Sequence, residues 1–283
     1  MSLKIAIQGG KASFHDIAAH DFFGEDITPV CCNTFREVCE HVINKDVDYA
    51  LMAIENSIVG SILPNYSLIQ EYDLHVVGEY KLRIQQNLMA LPGQKIEDLR
   101  QVKSHYMALG QCQDFLSQYP HIVVEEFYDT ADSARDIKER NLVGEGAIAG
   151  AYAAELYGLD ILEESIETIK QNYTRFLVLA TPDKRLVPRN ETDKATLSFE
   201  LSHHVGSLAK ALQIIVENEI NLTKIQSIPI IGKPDQYVFY IDCTWSSYDN
   251  IKRCYIQLKR LIKNLTVLGE YKNWEIDYDN SVS

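Results

Sequence analysis

Asn172-Tyr173-Thr174-Arg175-Phe176 runs without a break into Leu177-Val178-Leu179-Ala180. The four apolar residues read as a buried strand, and the residues before them set a carboxamide, a hydroxyl and a guanidinium at its mouth. Open α/β sheets carry their ligand chemistry in crevices at strand ends. Taken by itself, the stretch reads at least as well as a loop-to-strand junction whose polar groups satisfy only backbone. The rest of the chain decides between the two.

Upstream, strands and helices alternate. Residues 4–8 form a short apolar strand ended by Gly9-Gly10. Residues 14–23 have helical spacing, with Phe14, Ile17, Ala18 and Phe22 on one side and Ser13 as N-cap. A strand, a glycine turn and a helix start make a candidate anion site, although no G-x-G-x-x-G is present. Thr34 caps a helix to about Asn44, and the strand 49–54 leads to a second polar cluster, Glu55-Asn56-Ser57-Ile58-Val59-Gly60. A helix at 63–72 precedes the β-rich run 75–91. After the Pro92-Gly93 turn come a strand at 102–104, a helix at 107–118 and a strand at 122–127. Asp129-Thr130 cap a helix to about Glu139; a small-residue strand at 147–149 and a helix at 151–157 follow, the latter ended by Gly158 as C′.

This alternation predicts parallel sheets. The run near 75–90 crosses between two lobes and residues 161–180 cross back. The expected plan is a two-lobed α/β domain with a cleft, as in solute-binding proteins, with Thr174 at the crevice. Residues 182–194 carry two prolines, many charges and no periodicity, and read as a linker. Beyond them lie strand 196–201, helix 207–217, strand 223–231, strand 237–243, helix 249–263 and strand 265–271, a βαββαβ unit. The expected domains are 1–182, a linker at 183–194, a second domain at 195–275 and a tail at 276–283.

The 283 residues fit about two domains. With 46% apolar and 24% charged residues, the chain has enough apolar surface for sizeable cores. Its net charge of −13, from 27 basic and 40 acidic residues, repels nucleic acid and anionic membranes. An anionic small molecule then needs locally placed Arg, Lys or backbone N–H groups. The start, Met1-Ser2-Leu3-Lys4, leads straight into Ile5-Ala6-Ile7, too short for a signal peptide, and no apolar run is long enough to span a bilayer. The six cysteines show no C-x-x-C pair, and Cys31-Cys32 read as buried strand residues. A reduced, cytoplasmic enzyme is the expectation. His203-His204 precede a helix with no third ligand in view, so no metal is expected and they read as structural or effector-proximal.

Four ordered stretches carry a family likeness. They are Glu55-Asn56-Ser57 with Gly60; Ser104-His105 through Leu109-Gly110-Gln111-Cys112; Asp129-Thr130-Ala131; and Asn172 to Phe176. With Ala153-Ala154-Glu155-Leu156-Tyr157-Gly158-Leu159, this set resembles prephenate dehydratase. The C-terminal unit is similar to an ACT domain through Gly206-Ser207-Leu208, Ile220-Asn221-Leu222-Thr223-Lys224-Ile225 and Tyr237-Val238-Phe239-Tyr240-Ile241-Asp242. The resemblance implies a periplasmic-binding-protein-like catalytic domain and a ferredoxin-like regulatory domain. It also implies cofactor-free conversion of prephenate to phenylpyruvate, carbon dioxide and water, the committed step towards phenylalanine, without a fused chorismate mutase. Phenylalanine is the implied effector, and a homodimer or homotetramer the implied assembly.

The chain also departs from the family pattern. The family's first motif, Gly-Pro and then Gly-Thr-Phe-Ser, reads here Gly9-Gly10-Lys11-Ala12-Ser13-Phe14-His15. Tyr106 stands for the usual Pro after Ser-His, and Thr168 for an acidic residue. Gln226-Ser227-Ile228-Pro229 replaces Glu-Ser-Arg-Pro in the ACT unit, which puts phenylalanine feedback in question.

Carried onto this chain, Thr174 serves the leaving hydroxyl as a hydrogen-bond donor, with Asn56, Ser104 and Gln111 as neutral donors to substrate oxygens. Glu55 and His105 compete as proton source. Arg175 pairs with a substrate carboxylate or, equally, forms a salt bridge beneath the cleft. Ser57, Thr130, Ser13 and Phe176 complete the substrate set, and Thr130 reads equally as a helix cap. Gly206, Ser207, Leu208, Asn221 and Leu222 are the effector residues, with Asn221 equally a turn residue. Arogenate dehydratase is the close rival, and no residue separates the two substrates. A non-catalytic metabolite sensor is the rival of a different class.

Overall fold

The computed structural model describes residues 2–201, 204–230, 232–233 and 236–274, with only the backbone of Lys263. His203 and the tail at 276–283 lie outside the described residues. The elements in chain order are β1 (Leu3–Gln8), α1 (Phe14–Phe23), β2 (Ile27–Cys32), α2 (Phe35–Ile43), β3 (Tyr49–Asn56), β4 (Gly60–Ser61), α3 (Leu63–Glu71), β5 (His75–Arg83) and β6 (Asn87–Ala90). Next come β7 (Gln101–His105), α4 (Tyr106–Gln111), α5 (Gln113–Leu116), β8 (Val123–Phe127), α6 (Thr130–Arg140), β9 (Glu145–Ala149), α7 (Ala151–Tyr157), β10 (Asp160–Glu163) and β11 (Tyr173–Ala180). The C-terminal elements are β12 (Lys194–Glu200), α8 (Ser207–Glu217), β13 (Asn221–Pro229), β14 (Tyr237–Thr244), α9 (Tyr248–Leu261) and β15 (Lys263–Tyr271).

Three sheets result. The first has the order β2-β1-β3-β11-β5, with β4 against β3, and β1 runs parallel to both β2 and β3. The second has the order β10-β6-β9-β7-β8, parallel at β7 and antiparallel at β6. The chain leaves the first sheet after β5 and returns to it at β11, as the two crossing segments predict. The third sheet, β13-β14-β12-β15, is antiparallel throughout and carries α8 and α9 in βαββαβ order. Two compact units divide the chain, Met1–Ser61 with Lys81–Phe176 and Ile62–Tyr80 with Leu177 onward, so β5 and β11 each contribute to both.

Local chemistry explains where the helices begin. Ser13, Thr34 and Asp129 each accept a backbone N–H of the first helical turn, the capping that short polar side chains supply. Gly158 ends α7 in the left-handed region that glycine adopts at least cost. Alternation along the second sheet feeds two cores. Met89, Ala147 and Ala149 meet Ala131, Ala134 and Ile137 of α6, while Leu88, Ala90 and Ile148 meet Ala108 and Leu109 of α4. Ala195, Leu197, Ile241 and Cys243 form the core of the third sheet with Ala211, Ile215, Ile251, Cys254 and Leu258.

Several expectations need correction. The helix expected over 107–118 is two short pieces broken at Cys112, and the strand expected over 49–54 extends through Glu55 and Asn56. Cys31 is exposed rather than buried, near the end of the edge strand β2 and on the lining of a cavity. Asp129, not Thr130, caps α6; Thr130 is its first helical residue.

Candidate active site

The ends of β3 and β11 bring the Glu55–Gly60 and Asn172–Phe176 stretches together. Asn56 Oδ1 accepts the backbone N–H groups of Ile58 and Val59 at 2.9 and 3.1 Å, which fixes its amide orientation. Its Nδ2 then donates to Asn172 Oδ1 at 2.8 Å and to Thr174 Oγ1 at 3.0 Å. Asn172 is fully buried and donates in turn to Gln111 Oε1 at 3.0 Å, which also accepts from Gln86 Nε2 at 3.3 Å. Two donors are left over. The Thr174 proton and the Gln111 amide meet no acceptor among the described residues, so both are available to a ligand.

Ser57 holds this arrangement in place. Its N–H donates to the Tyr173 carbonyl, its hydroxyl to the Gln171 carbonyl, and its oxygen accepts from Tyr173 N. Ser57 therefore positions the segment, and the residue itself is exposed. Arg175 is 8% exposed and stands 4.0 Å from the more exposed Glu55, the pairing expected of a guanidinium beneath the site. Phe176 is buried with its edge against His15, whose ring also packs on Phe35. Part of His15 still meets solvent. Even so, removal of its ring from water lowers its pKa to about 3, and Nε2 accepts from the Ala53 N–H at 3.3 Å.

Three other expected residues are engaged elsewhere. Ser104 is fully buried and donates to the Ile148 carbonyl at 2.5 Å, tying β7 to β9. Ser13 is buried as the α1 cap. His105 accepts the Met107 N–H at Nδ1, which leaves Nε2 to carry the proton. Burial lowers its pKa, against the opposing pull of Asp129 and Glu126.

A second cluster lies at the Gly9-Gly10 turn, the candidate anion site, and includes charged residues that were not foreseen there. A cavity of about 570 Å³ is lined by Gln8 to Gly10, Cys31 to Asn33, Tyr128, Asp129, Asp132 and Arg135. Asp129 uses Oδ1 as the α6 cap and turns Oδ2 towards Gly9, and burial raises its pKa. Two signals in the sequence marked this residue, its position as N-cap and its place in the Asp129-Thr130-Ala131 stretch, and neither pointed to a cavity. Asp132 and Arg135 had none, since both sit on a helix face that reads as solvated.

The effector residues fall in the other compact unit. Gly206, at φ +84°, is the α8 N-cap, followed by Ser207 and Leu208, while Asn221 and Leu222 open β13 after the far end of α8. Asn221 lines a cavity of about 370 Å³ with Asp193, Glu219 and Trp245, and Gly206, Ser207 and Leu208 do not.

The chain is 36% identical over 280 residues to arogenate dehydratase/prephenate dehydratase 2, chloroplastic, of Arabidopsis thaliana, covering 95% of this chain and 72% of that protein. It superimposes with a TM-score of 0.85 on prephenate dehydratase from Arthrobacter aurescens in complex with L-Phe, at 25% identity, covering 96% of this chain and 90% of that one. A structure described as a novel type of quorum-quenching acylase, GqqA, gives a TM-score of 0.86 at 27% identity, with 96% and 98% covered. The prephenate dehydratase family model matches residues 5–184, and this chain belongs to that family.

Proposed function

We propose that this chain catalyses the decarboxylating dehydration of prephenate to phenylpyruvate in phenylalanine biosynthesis. The ring carboxylate leaves as carbon dioxide, and its bonding electrons complete the aromatic ring as the ring C–O bond breaks. The departing hydroxide takes up one proton and leaves as water. No electrons are gained or lost overall, so the protein's tasks are orientation, exclusion of water and one proton.

The observation that carries this reading is the Thr174 hydroxyl, fixed as acceptor to Asn56 with its own proton unspent. A donor held in advance at the point where negative charge develops costs no reorganisation during reaction. Gln111 adds a second neutral donor, and neither traps the product by charge. Glu55 and His105 remain the proposed proton sources, His105 through Nε2. Arg175 and the backbone N–H groups at Gly9-Gly10 are proposed to meet substrate carboxylates, with Ser104, Thr130, Ser13 and Phe176 shaping the pocket.

Residues 1–182 are the proposed catalytic domain, 183–194 the linker, 195–275 the ACT domain and 276–283 the tail, in a cytoplasmic enzyme that needs no cofactor. L-Phenylalanine is the proposed effector, by analogy with the Arthrobacter aurescens protein in its complex. Gly206 to Leu208 and Asn221-Leu222 flank the 11-residue α8, which spans about 16 Å. One amino acid touching both sets needs a second copy of the chain, which supports the homo-oligomer. Arogenate is the second reading, favoured by the paired name of the Arabidopsis relative.

Ultraviolet detection of phenylpyruvate, with purified protein and prephenate, tests the reading. Turnover that falls on adding phenylalanine is the expected outcome. A folded protein that converts neither prephenate nor arogenate overturns the reading in favour of a metabolite sensor.

A further inference from the structure

The cavity beside Gly9 and Gly10 holds charges that the neutral donors around Thr174 do not provide. Its charged lining residues are Asp129, Asp132 and Arg135. Asp132 and Arg135 lie one turn apart on α6, with Arg135 Nη1 2.7 Å from Asp132 Oδ1. Asp132 is 8% exposed, and its buried Oδ1 touches the guanidinium without a hydrogen bond in good geometry. Arg135 Nη2 donates to the Tyr128 hydroxyl at 3.2 Å, which steadies the guanidinium at the cavity wall.

Gly10 makes room for this pair. A Cβ at that position would stand 3.0 Å from Asp132 Oδ1, closer than real Cβ contacts normally come. The family's first motif carries proline where this chain has Gly10. With glycine there, no side-chain atom competes with the Asp132 carboxylate for that space.

We propose that Asp132, acting beside Arg135, discriminates between the amino and keto forms of the substrate. An α-amino acid head carries an ammonium and a carboxylate on one carbon, and the cavity offers adjacent charges of the opposite signs. Asp132 takes the ammonium and Arg135 the carboxylate. An α-keto acid head supplies only the carboxylate and turns a carbonyl oxygen towards Asp132, which repels it. Discrimination then comes from attraction to one form and repulsion of the other. This inference rests on the dehydratase reading and names the residue that tunes its substrate.

The test measures kcat/KM for prephenate and arogenate in the wild type, Asp132→Asn and Gly10→Ala, with thermal unfolding as a check on folding. The wild type is expected to convert both. Asp132→Asn should lower the arogenate-to-prephenate ratio by about tenfold or more. Gly10→Ala should move the ratio the same way, because the new methyl displaces a carboxylate that remains present. Gly10 is outside the left-handed region, so alanine is tolerated there, and this variant carries the test alone if Asp132→Asn does not fold. An unchanged ratio in the folded variants overturns the proposal, as does a wild type that converts prephenate and ignores arogenate. A wild type inactive on both overturns the dehydratase reading itself.

Discussion

The Asn56 amide donates to the Thr174 hydroxyl across 3.0 Å, joining residues 118 positions apart at the ends of two strands of one sheet. The bond fixes which lone pair of Thr174 is used and so where its proton points. Thr174→Ala removes that proton and should cut kcat about 10²- to 10³-fold, as loss of one preorganised donor does. Thr174→Ser keeps the hydroxyl on a freer rotor and should retain part of the rate. Phenylpyruvate formation distinguishes the two, and a normal rate in Thr174→Ala removes the central role assigned to it.

Ala12 sits at φ +62°, in the left-handed region, where the family motif has glycine. Its N–H is held by Asp16 Oδ2 at 2.7 Å, so the turn is fixed and the strain retained. Ala12→Gly relieves about 1 kcal/mol of steric cost, offset in part by a more flexible unfolded chain. The melting temperature should rise or stay level; a fall of several degrees contradicts the account.

Lys194 and Glu79 form an almost fully buried ion pair at 2.7 Å, with Glu79 also accepting the Trp274 N–H. Lys194→Met alone strands a buried carboxylate and should cost about 3–5 kcal/mol in denaturant unfolding. Pairing it with Glu79→Leu should recover most of that loss. A double variant as unstable as the single one would show that the Trp274 contact dominates.

Burial lowers the pKa of His15 to about 3 and that of His75 to about 4, with Arg185 and Arg189 adding to the shift at His75. Both are 6.5 when unperturbed, so between pH 6.5 and about 3 the unfolded chain binds more protons than the folded one. Stability is full above pH 6.5 and falls as the pH drops through that window. His15→Gln should flatten the acid limb of a plot of stability against pH. An unaltered limb assigns the acid sensitivity to other groups.

Cys31 is the one exposed thiol of the six cysteines. Burial and the neighbouring Asp16 and Asp132 carboxylates raise its pKa, so modification should be slow near neutral pH and faster as pH rises. A thiol reagent should titrate one group in the native protein, lost in Cys31→Ser, and six after unfolding.

Much of this protein was legible from local strings. The helix 14–23 with its Ser13 cap and the helix 207–217 fall where periodicity and capping put them, because both signals act within a few residues. The polar mouths at Asn56 and Thr174 were legible for the same reason, as short polar runs against buried strands. The break at Cys112 was not, since apolar spacing continues across it while the backbone there leaves the helical region at φ −104°, ψ 13°. Nor was the exposure of Cys31, which lines a cavity together with residues of α6. Sequence alone determined which elements form and which residue types stand at their ends. Tertiary structure decided which of those ends meet. The cavity draws Gly10, Cys31 and Asp132 from three segments whose proximity follows from strand order and from β1 pairing with β2. No local pattern encodes such distances, because they arise from side chains of separate elements competing for one core.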